Sequence, residues 1–497
     1  MNIAIGGMDL LVLGVYLAGV VALGLWVGRG QRDLNSYLLG GRDLPWWAIL
    51  GSLVATETST ATFLSVPGLA FAKTTGDMRF LQLTLGYIVG RLLITIVLLP
   101  WFFRGPMYTA YEVLEHRFGG ATKQVASLVF LVARNLGDGL RLYLTAIALE
   151  QVTGFSLPFC VVLIGAATIV YTVFGGMKSV VWNDCVQFVV YMMGGLLAGM
   201  VILYRLPGGW SEFVEFGTSH AKFRIFDFHW DLSEPYTFWA GIIGGMFLTL
   251  GTHGTDQMMV QRYLCARSQR DAGRALMASG FVVMLQFALF LLLGVGLACF
   301  YDRFYPDTTF ASNDHVFATF IVGELPFNVG LIGLLLAAVF AAAMSTLSSS
   351  LNSSASAAVN DFYATWWKKP PSQKHLLGAS RVLTIVFGVV QITIGIAAMR
   401  SKGSVVADAL AIASFSAGLL LGLFFLGIFT KHVDQTSAFV GLLFGLAVLL
   451  AAKFVAPVYN VSFGWPWFAL IGAVATFSAG FGASLLMGRC HLGVRAL

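Results

Sequence analysis

Long apolar segments recur along almost the whole chain, and short polar segments separate them. A membrane-spanning helix needs about 20 mostly apolar residues, because the hydrocarbon core of a bilayer is about 30 Å thick. The segments of sufficient length lie near residues 8–28, 45–70, 80–103, 121–151, 155–174, 176–204, 237–260, 271–301, 326–362, 376–399, 405–429, 434–456 and 464–488. The pattern predicts an all-α polytopic membrane protein with about 13 transmembrane helices.

The composition supports this prediction and excludes other classes of protein. Of the 497 residues, 58% are hydrophobic and 11% are charged, and the mean hydropathy is +0.81. Soluble domains carry about 25% charged residues, so neither a soluble enzyme nor a disordered chain fits. The net charge of +6 does not indicate nucleic-acid binding, because the charges lie in short loops between apolar segments. The five cysteines have no paired or metal-ligand spacing.

The distribution of basic residues predicts the orientation of the chain. With the N-terminus outside, the inner loops hold about twice as many Lys and Arg residues as the outer loops, and Arg262 is counted among the inner ones. Basic residues concentrate on the cytoplasmic side of membrane proteins. We therefore expect a multi-pass protein of the plasma (inner) membrane with its C-terminus in the cytoplasm.

The second predicted span contains a polar run, Ala55 to Thr62, with Glu57 in its middle and Pro67 further on. An ionisable residue inside a span is costly and points to function. A helix that unwinds here would present carbonyl and hydroxyl oxygens, which suit a sodium ion. The alternative is a packing face of small residues whose hydroxyls bond carbonyls of the preceding turn.

The ninth predicted span carries a stripe of hydroxyl groups. Ser345, Ser348, Ser349 and Asn352 follow the i, i+3, i+4, i+7 spacing, so they share one helix face. Such an oxygen-rich wall suits a hard cation. Hydrogen bonds between helices are the alternative explanation.

Two further groups of charged residues lie within predicted spans. Asp184 is the counter-charge of a bound cation, a partner of Lys178 or the cap of a helix end. Arg134 and Asp138 are spaced i, i+4, and Asp138 and Arg141 are spaced i, i+3, so the three neutralise each other along one face and leave one positive charge. That surplus charge would bind a carboxylate, or the cluster is purely structural.

The seventh predicted span is interrupted like the second, by glycines, hydroxyl residues and His253 over residues 249–257. For His253 itself, a hydrogen-bonded structural role is favoured over a proton relay. Paired interruptions five spans apart indicate a transporter whose solute site lies between two repeats. Because five is odd, repeats of five spans would be inverted.

Several motifs resemble the sodium/solute symporter family, especially its sialic-acid and proline transporter branches. They are SYLLGGR at 36–42, GYIVGR at 86–91, YEVLEHRF at 111–118, YTVFGGMKSVVWND at 171–184, QRYL at 261–264 and MSTLSSSLN at 344–352. The resemblance covers nearly the whole chain and implies a LeuT-like 5+5 inverted repeat with an extra N-terminal helix and two C-terminal helices. The implied parts are an N-terminal helix and loop (1–44), a first five-helix repeat (45–204), an extracellular loop (205–236), a second five-helix repeat (237–433) and two C-terminal helices with a short tail (434–497).

The resemblance also implies bound sodium, as one or two ions. A first site is implied between the broken second span and the ninth span, on the backbone of Ala55, Thr58 and Ala342 and the hydroxyls of Ser345 and Thr346. A second site, which sialic-acid transporters carry, is matched by Asp184, Ser345, Ser348 and Ser349. Because all four residues are present, we expect two sodium ions per transport cycle.

The resemblance places the solute beside the first break. The implied substrate-binding residues are Thr56, Glu57, Ser59, Thr62, Gln82, Arg134, Arg141 and Phe247. The sialic-acid branch holds its ligand with an arginine where this chain has Gly137, and Arg134 and Arg141 lie about one helical turn to either side. Glu57 resembles the acidic residue of proline transporters, and Thr252 replaces the inner-gate tyrosine of sugar transporters, which argues against a sugar.

We therefore expect a secondary active transporter in which inward sodium flux drives uptake of a small carboxylate-bearing solute by alternating access. The alternatives are a proton-coupled carrier that uses Glu57, Asp138 or His253, and a channel or sensor on the same scaffold. An enzyme is not expected, because the sequence shows no nucleophile–base pair or metal-ligand set. The expected partners are the solute, sodium and the lipid bilayer, with no nucleic acid and no obligate protein partner.

Overall fold

The fold is built from helices that pack side by side. The computed structural model describes residues 5–29, 31, 33–73, 75–310, 312–367, 371–400, 405–431 and 433–487. Within these ranges the β-type pairing is limited to an isolated bridge between Leu44 and Ala266. The prediction of an all-α protein is confirmed for this part of the chain.

The α-helices are numbered here in chain order. The first ten are α1 (Gly7–Val27), α2 (Leu34–Leu39), α3 (Trp46–Glu57), α4 (Thr60–Phe71), α5 (Gln82–Leu93), α6 (Leu99–Phe102), α7 (Glu112–Phe118), α8 (Gly120–Thr153), α9 (Leu157–Arg205) and α10 (Gly209–Ser219). The others are α11 (Gly245–Gly254), α12 (Gln257–Leu264), α13 (Gln269–Phe304), α14 (Val316–Gly323), α15 (Leu331–Ala357), α16 (Gln373–Ala398), α17 (Val405–Phe429), α18 (Gln435–Leu450) and α19 (Trp467–Leu486).

Many of these helices are long and apolar enough to cross a bilayer. The described part of the chain contains nine such helices, and α3 with α4 form a tenth candidate as a pair bent by 60°. The predicted span near 121–151 coincides with α8, which carries Arg134, Asp138 and Arg141 and is not one of the nine.

The helix α9 is long enough for two spans. As one straight helix, its 49 residues would extend about 74 Å, more than twice the thickness of the hydrocarbon core. Gly176 interrupts it with φ 56° and ψ −164°. The side chain of Gln31 donates a hydrogen bond to the Gly175 carbonyl at 2.5 Å, and the Tyr37 hydroxyl donates to the Val173 carbonyl at 3.1 Å. The division predicted between the fifth and sixth spans therefore falls at Gly176.

Two other breaks interrupt spans, and both were predicted from the sequence. The backbone between α3 and α4 is extended at Thr58 (φ −83°, ψ 101°) and Ser59 (φ −92°, ψ 171°). The helix α11 ends at Gly254, and Asp256 then caps α12 by accepting a hydrogen bond from the Met258 amide at 2.8 Å.

The helix α15 lies in the centre of the bundle. Nearly every residue of α15 is buried, and the helix packs against α1, α8, α9 and α16. Its N-terminal end is fixed by Asp9 of α1, a completely buried carboxylate. Asp9 accepts hydrogen bonds from the amides of Gly6 at 3.2 Å, Asn328 at 3.1 Å and Gly333 at 3.2 Å. The carboxylate thereby supplies acceptors for amides that a helix N-terminus leaves unpaired.

Candidate ion and substrate sites

Asp184 lies in a fully buried polar cluster between three helices. Its Oδ1 accepts a hydrogen bond from the Ser345 hydroxyl at 2.6 Å, and its Oδ2 accepts one from the Ser52 hydroxyl at 2.5 Å. The Thr56 hydroxyl lies 3.4 Å from the same Oδ2. The carboxylate therefore joins α9 to α15 and to the last turns of α3 before its break.

The counter-charge of Asp184 is Arg262 on α12. Its Nη2 donates to Asp184 Oδ2 at 3.0 Å, to the Thr56 hydroxyl at 2.5 Å and to the Ser349 hydroxyl. Its Nε donates to the Ser52 hydroxyl at 2.8 Å. A planar guanidinium group makes several such bonds at once, which suits it to a buried ion pair.

The position of Arg262 corrects the sequence analysis, which placed it in an inner loop. Only 1% of its side chain is exposed, and its Nη1 donates to the Met258 carbonyl at 2.6 Å. Lys178, the partner considered for Asp184, is exposed. The positive-inside rule counts the basic residues on each side of the membrane. It counts a basic residue near the end of a span in the same way whether that residue faces water or pairs with a buried carboxylate. The burial of Arg262 could therefore not be predicted from this count.

The hydroxyl stripe of α15 meets this cluster on one side. Ser345 bonds Asp184, and Ser349 accepts from Arg262 while its own hydroxyl donates to the Ser345 carbonyl at 2.7 Å. The Ser348 hydroxyl donates to the same carbonyl at 3.2 Å. Of the four residues predicted for a second sodium ion, Asp184 is a member of the ion pair, and the three serines contact that pair or each other.

Asn352 of the stripe, and Ser350 beside it on α15, hold neighbouring helices. The Asn352 side-chain oxygen accepts from Gln261 of α12 at 2.8 Å, and the Ser350 hydroxyl accepts from Gln391 of α16 at 2.9 Å. Hydrogen bonding between helices, the alternative considered from the sequence, is therefore present in this part of α15.

The backbone at the first break is held against α15. The Thr346 hydroxyl donates to the Thr56 carbonyl at 3.1 Å and lies 3.4 Å from the Ala342 carbonyl. Ala55 and Ala342 are completely buried. The Thr58 hydroxyl is already engaged, because it donates to the carbonyl four residues earlier at 2.8 Å. The structure thus brings together the residues predicted for the first sodium site. Because its hydroxyl is engaged, Thr58 would contribute its backbone oxygen to that site.

Glu57, at the last residue of α3, forms an ion pair with Arg91 of α5. His253, at the end of α11, lies beside both: its Nε2 is 3.5 Å from the Glu57 carboxylate and 3.2 Å from Arg91 Nη2. The guanidinium group of Arg91 is completely buried, whereas 15% of the Glu57 side chain is exposed. The two predicted breaks therefore meet at the triad of Glu57, Arg91 and His253. Contact between these three residues was not predicted from the sequence.

The surplus positive charge predicted for the cluster on α8 has a partner outside that helix. Arg141 bonds Asp138 at 2.5 Å and Arg134 lies 3.6 Å from Asp138, as the spacing predicts. Arg134 also pairs with Asp256, which precedes α12. This second carboxylate balances the surplus positive charge that the sequence analysis assigned to the cluster. A small cavity of about 20 Å³ lies among Arg134, Arg141, Asp256 and Thr252, which is room for about one water molecule.

Comparison with known proteins identifies the family. The model of the sodium:solute symporter family matches residues 37–445. The chain belongs to this family. It is therefore a sodium-coupled transporter of a small solute and not an enzyme, as predicted.

Individual relatives of the symporter carry different solutes. The sodium/sialic acid symporter SiaT of Proteus mirabilis is 30% identical over 96% of this chain and 94% of its own length. The human sodium-coupled monocarboxylate transporter 2 is 31% identical over 84% of this chain and 67% of its own length. A solved substrate-bound, outward-open structure of a Na+-coupled sialic acid symporter, described as revealing a novel Na+ site, matches with TM-score 0.88 and 29% identity over 98% of this chain and 100% of that chain.

Of the remaining predicted substrate residues of the symporter, Ser59 and Thr62 follow the first break, Gln82 begins α5 and Phe247 lies in α11. Ser59 is buried, and Thr62 and Phe247 are partly exposed. The side chain of Gln82 bonds backbone groups at both of its polar atoms. Its nitrogen donates to the carbonyls of Arg79 at 3.2 Å and Tyr236 at 3.1 Å. Its oxygen accepts a hydrogen bond from the Asp227 amide at 3.0 Å. A solute contact with Gln82 would require one of these bonds to break.

The loop predicted outside the membrane is fastened to the segment that follows the first break. Lys222 is buried, and its Nζ donates to the carbonyls of Ala70 at 3.3 Å, Phe71 at 3.4 Å and Ala72 at 2.5 Å. Burial lowers the pKa of Lys222. Because these carbonyls belong to the end of α4, where the helix dipole is negative, a basic group is well placed there.

Proposed function

We propose that the symporter imports a small carboxylate-bearing solute, driven by two sodium ions, through alternating access. The observation that carries the proposal is the hydrogen bond from Thr346 of α15 to the Thr56 carbonyl at the first break. It joins the two elements on which the first sodium site is predicted. An ion bound between them would order the broken helix and so prepare the adjoining solute site.

In this proposal the first ion binds the oxygens of the broken helix and of α15. Its ligands are the backbone carbonyls of Ala55, Thr58 and Ala342 and the hydroxyls of Ser345 and Thr346. The second ion binds at Asp184, Ser345, Ser348 and Ser349. Ser345 belongs to both sets, so occupation of one site would affect the other. A membrane potential of about 100 mV supplies about 2.3 kcal/mol for each charge that moves inward, and a second ion doubles this amount.

The proposed solute is a carboxylate, which occupies the space beside the first break. Its contacts are Thr56, Glu57, Ser59, Thr62, Gln82, Phe247, Arg134 and Arg141. The names of the relatives support this class, since they include sialic acid and monocarboxylates. The neutral balance of the α8 cluster means that a carboxylate at Arg134 or Arg141 would have to replace a contact with Asp256 or Asp138.

The proposed topology has thirteen spans in the inner membrane, with the N-terminus outside and the C-terminus inside. The repeats are 45–204 and 237–433, flanked by 1–44 and 434–497 and joined by the outer segment 205–236. The division of α9 at Gly176 and the helical α8 support this count.

Uptake into proteoliposomes tests the function. We expect purified protein to accumulate one member of a panel of radiolabelled organic acids and amino acids when an inward sodium gradient is imposed. Thr346→Ala should raise the sodium concentration for half-maximal uptake about tenfold, because it removes one ion ligand and the bond to the first break. Thr168→Ala is the matched control, since this buried hydroxyl on α9 donates to the Ile164 carbonyl of its own helix at 2.9 Å and is not a proposed ion ligand.

Two results would contradict the proposal. Uptake that follows a pH gradient without sodium would indicate a proton-coupled carrier. Sodium currents without solute accumulation would indicate a channel.

A further inference from the structure

The contacts of Arg262 put a positive charge where a second sodium ion is proposed. Two of the residues proposed for that ion, Asp184 and Ser349, accept hydrogen bonds from Arg262 Nη2. A third, Ser345, bonds the other oxygen of the same carboxylate. The negative charge that would attract the ion is therefore already neutralised by a group of the protein itself.

We infer that Arg262 competes with sodium for Asp184, so that the second ion binds only after the guanidinium group has moved away. The inference rests on the proposed function, from which it takes the second ion. Asp184 Oδ2 and the Ser349 hydroxyl serve both cations, so the two sets of contacts exclude each other. Two positive charges in contact also repel strongly in a buried, poorly solvated site.

The competition would change how the broken spans are held together. Arg262 lies on α12, the segment that follows the second break. Its bonds to Ser52 and Thr56 fasten α12 to α3, the segment that precedes the first break. Departure of the guanidinium group would release this connection. Binding of the second ion would therefore favour a different arrangement of α3 and α12, which is a direct link between ion binding and conformation.

Sodium-dependent melting of the purified full chain tests the inference without measuring transport. The melting temperature is recorded in detergent without solute, while sodium chloride replaces choline chloride at constant ionic strength. Each bound ion raises the melting temperature as the logarithm of its concentration, once that concentration exceeds its dissociation constant. In the wild-type protein the second rise needs high sodium, because the ion has to displace Arg262.

Arg262→Gln should move this second rise to a sodium concentration at least about tenfold lower, because the competing charge is gone. Asp184→Asn combined with Arg262→Gln should remove it. Ser52→Ala is the second variant, because Ser52 accepts a hydrogen bond from Arg262 but is not a proposed sodium ligand. It should lower the sodium concentration of the second rise by about threefold. Arg117→Gln is the arginine control, since Arg117 donates to the Thr430 carbonyl at 3.2 Å and does not contact Asp184.

The outcomes separate the inference from the function on which it rests. A wild-type melting temperature that does not respond to sodium would contradict the proposed sodium coupling itself. A sodium response that Ser52→Ala and Arg262→Gln leave at unchanged concentrations would overturn only the competition. If Arg262→Gln does not fold, the comparison of Ser52→Ala with the wild type decides.

Discussion

Three carboxylates at or beside the helix breaks and the hydroxyl stripe face arginines of other segments. The pairs are Glu57–Arg91, Asp184–Arg262 and Asp256–Arg134. Two unit charges about 4 Å apart interact by about 4 kcal/mol at an effective dielectric constant of about 20, so each pair offsets much of the cost of burying its members. Removal of one member leaves the other charge uncompensated.

The pair at the first break gives a stability prediction at this scale. Arg91→Gln should lower the unfolding free energy in detergent by about 3 kcal/mol, because Glu57 then keeps its charge beside His253 without its main partner. Glu57→Gln combined with Arg91→Gln should cost less than Arg91→Gln alone. Chemical denaturation of the single and double variants measures the coupling, and additive losses would show that the two charges do not stabilise each other.

At the scale of the element, the interruption inside α9 depends on one glycine. Gly176 has φ 56°, and a Cβ atom there would lie 2.6 Å from the Tyr37 carbonyl oxygen. A side chain at Gly176 would therefore meet both backbone strain and the backbone of α2 at Tyr37.

Substitution by alanine separates this role from ordinary helix propensity. Gly176→Ala should lower the unfolding free energy by about 2 kcal/mol. Gly199→Ala, further along α9, is the control: a Cβ atom there has no neighbour within 4 Å, so the change should be neutral or stabilise by up to about 1 kcal/mol. Equal effects of the two substitutions on the denaturation midpoint would contradict the special role of Gly176.

On the scale of the whole molecule, the segment 205–236, predicted to lie outside the membrane, connects distant parts of the chain. Lys222 bonds carbonyls 150 to 152 residues earlier, at the end of α4.

Lys222→Ala should lower the unfolding free energy by about 1–2 kcal/mol and speed proteolysis within 206–237, because three helix-end carbonyls lose their donor. Lys73→Ala is the control, since Lys73 is exposed and, among the described residues, donates to the Pro306 carbonyl at 2.8 Å. Cleavage rates that are equal in the two variants would argue against this connection.

The sequence predicted the fold further than it predicted the site. Apolar length and the two polar interruptions each act locally, so the helices, the division between the fifth and sixth spans and the two breaks were read from short windows. The ion pairs are not local: Arg134 meets Asp256 across 122 residues, and Arg262 meets Asp184 across 78. Their partners depend on how the helices pack, and the residue spacing within one helix contains no information about that.

The carboxylate of Asp9 has a consequence for how the protein is made. Its acceptor contacts with Asn328 and Gly333 join residues 319 and 324 positions apart. At about 5–20 residues per second, a ribosome needs some tens of seconds to synthesise the intervening chain. During that interval α1 has entered the membrane while Asp9 lacks two of its donors. Anchoring of the first helix is therefore a late event in biogenesis, completed only when α15 emerges.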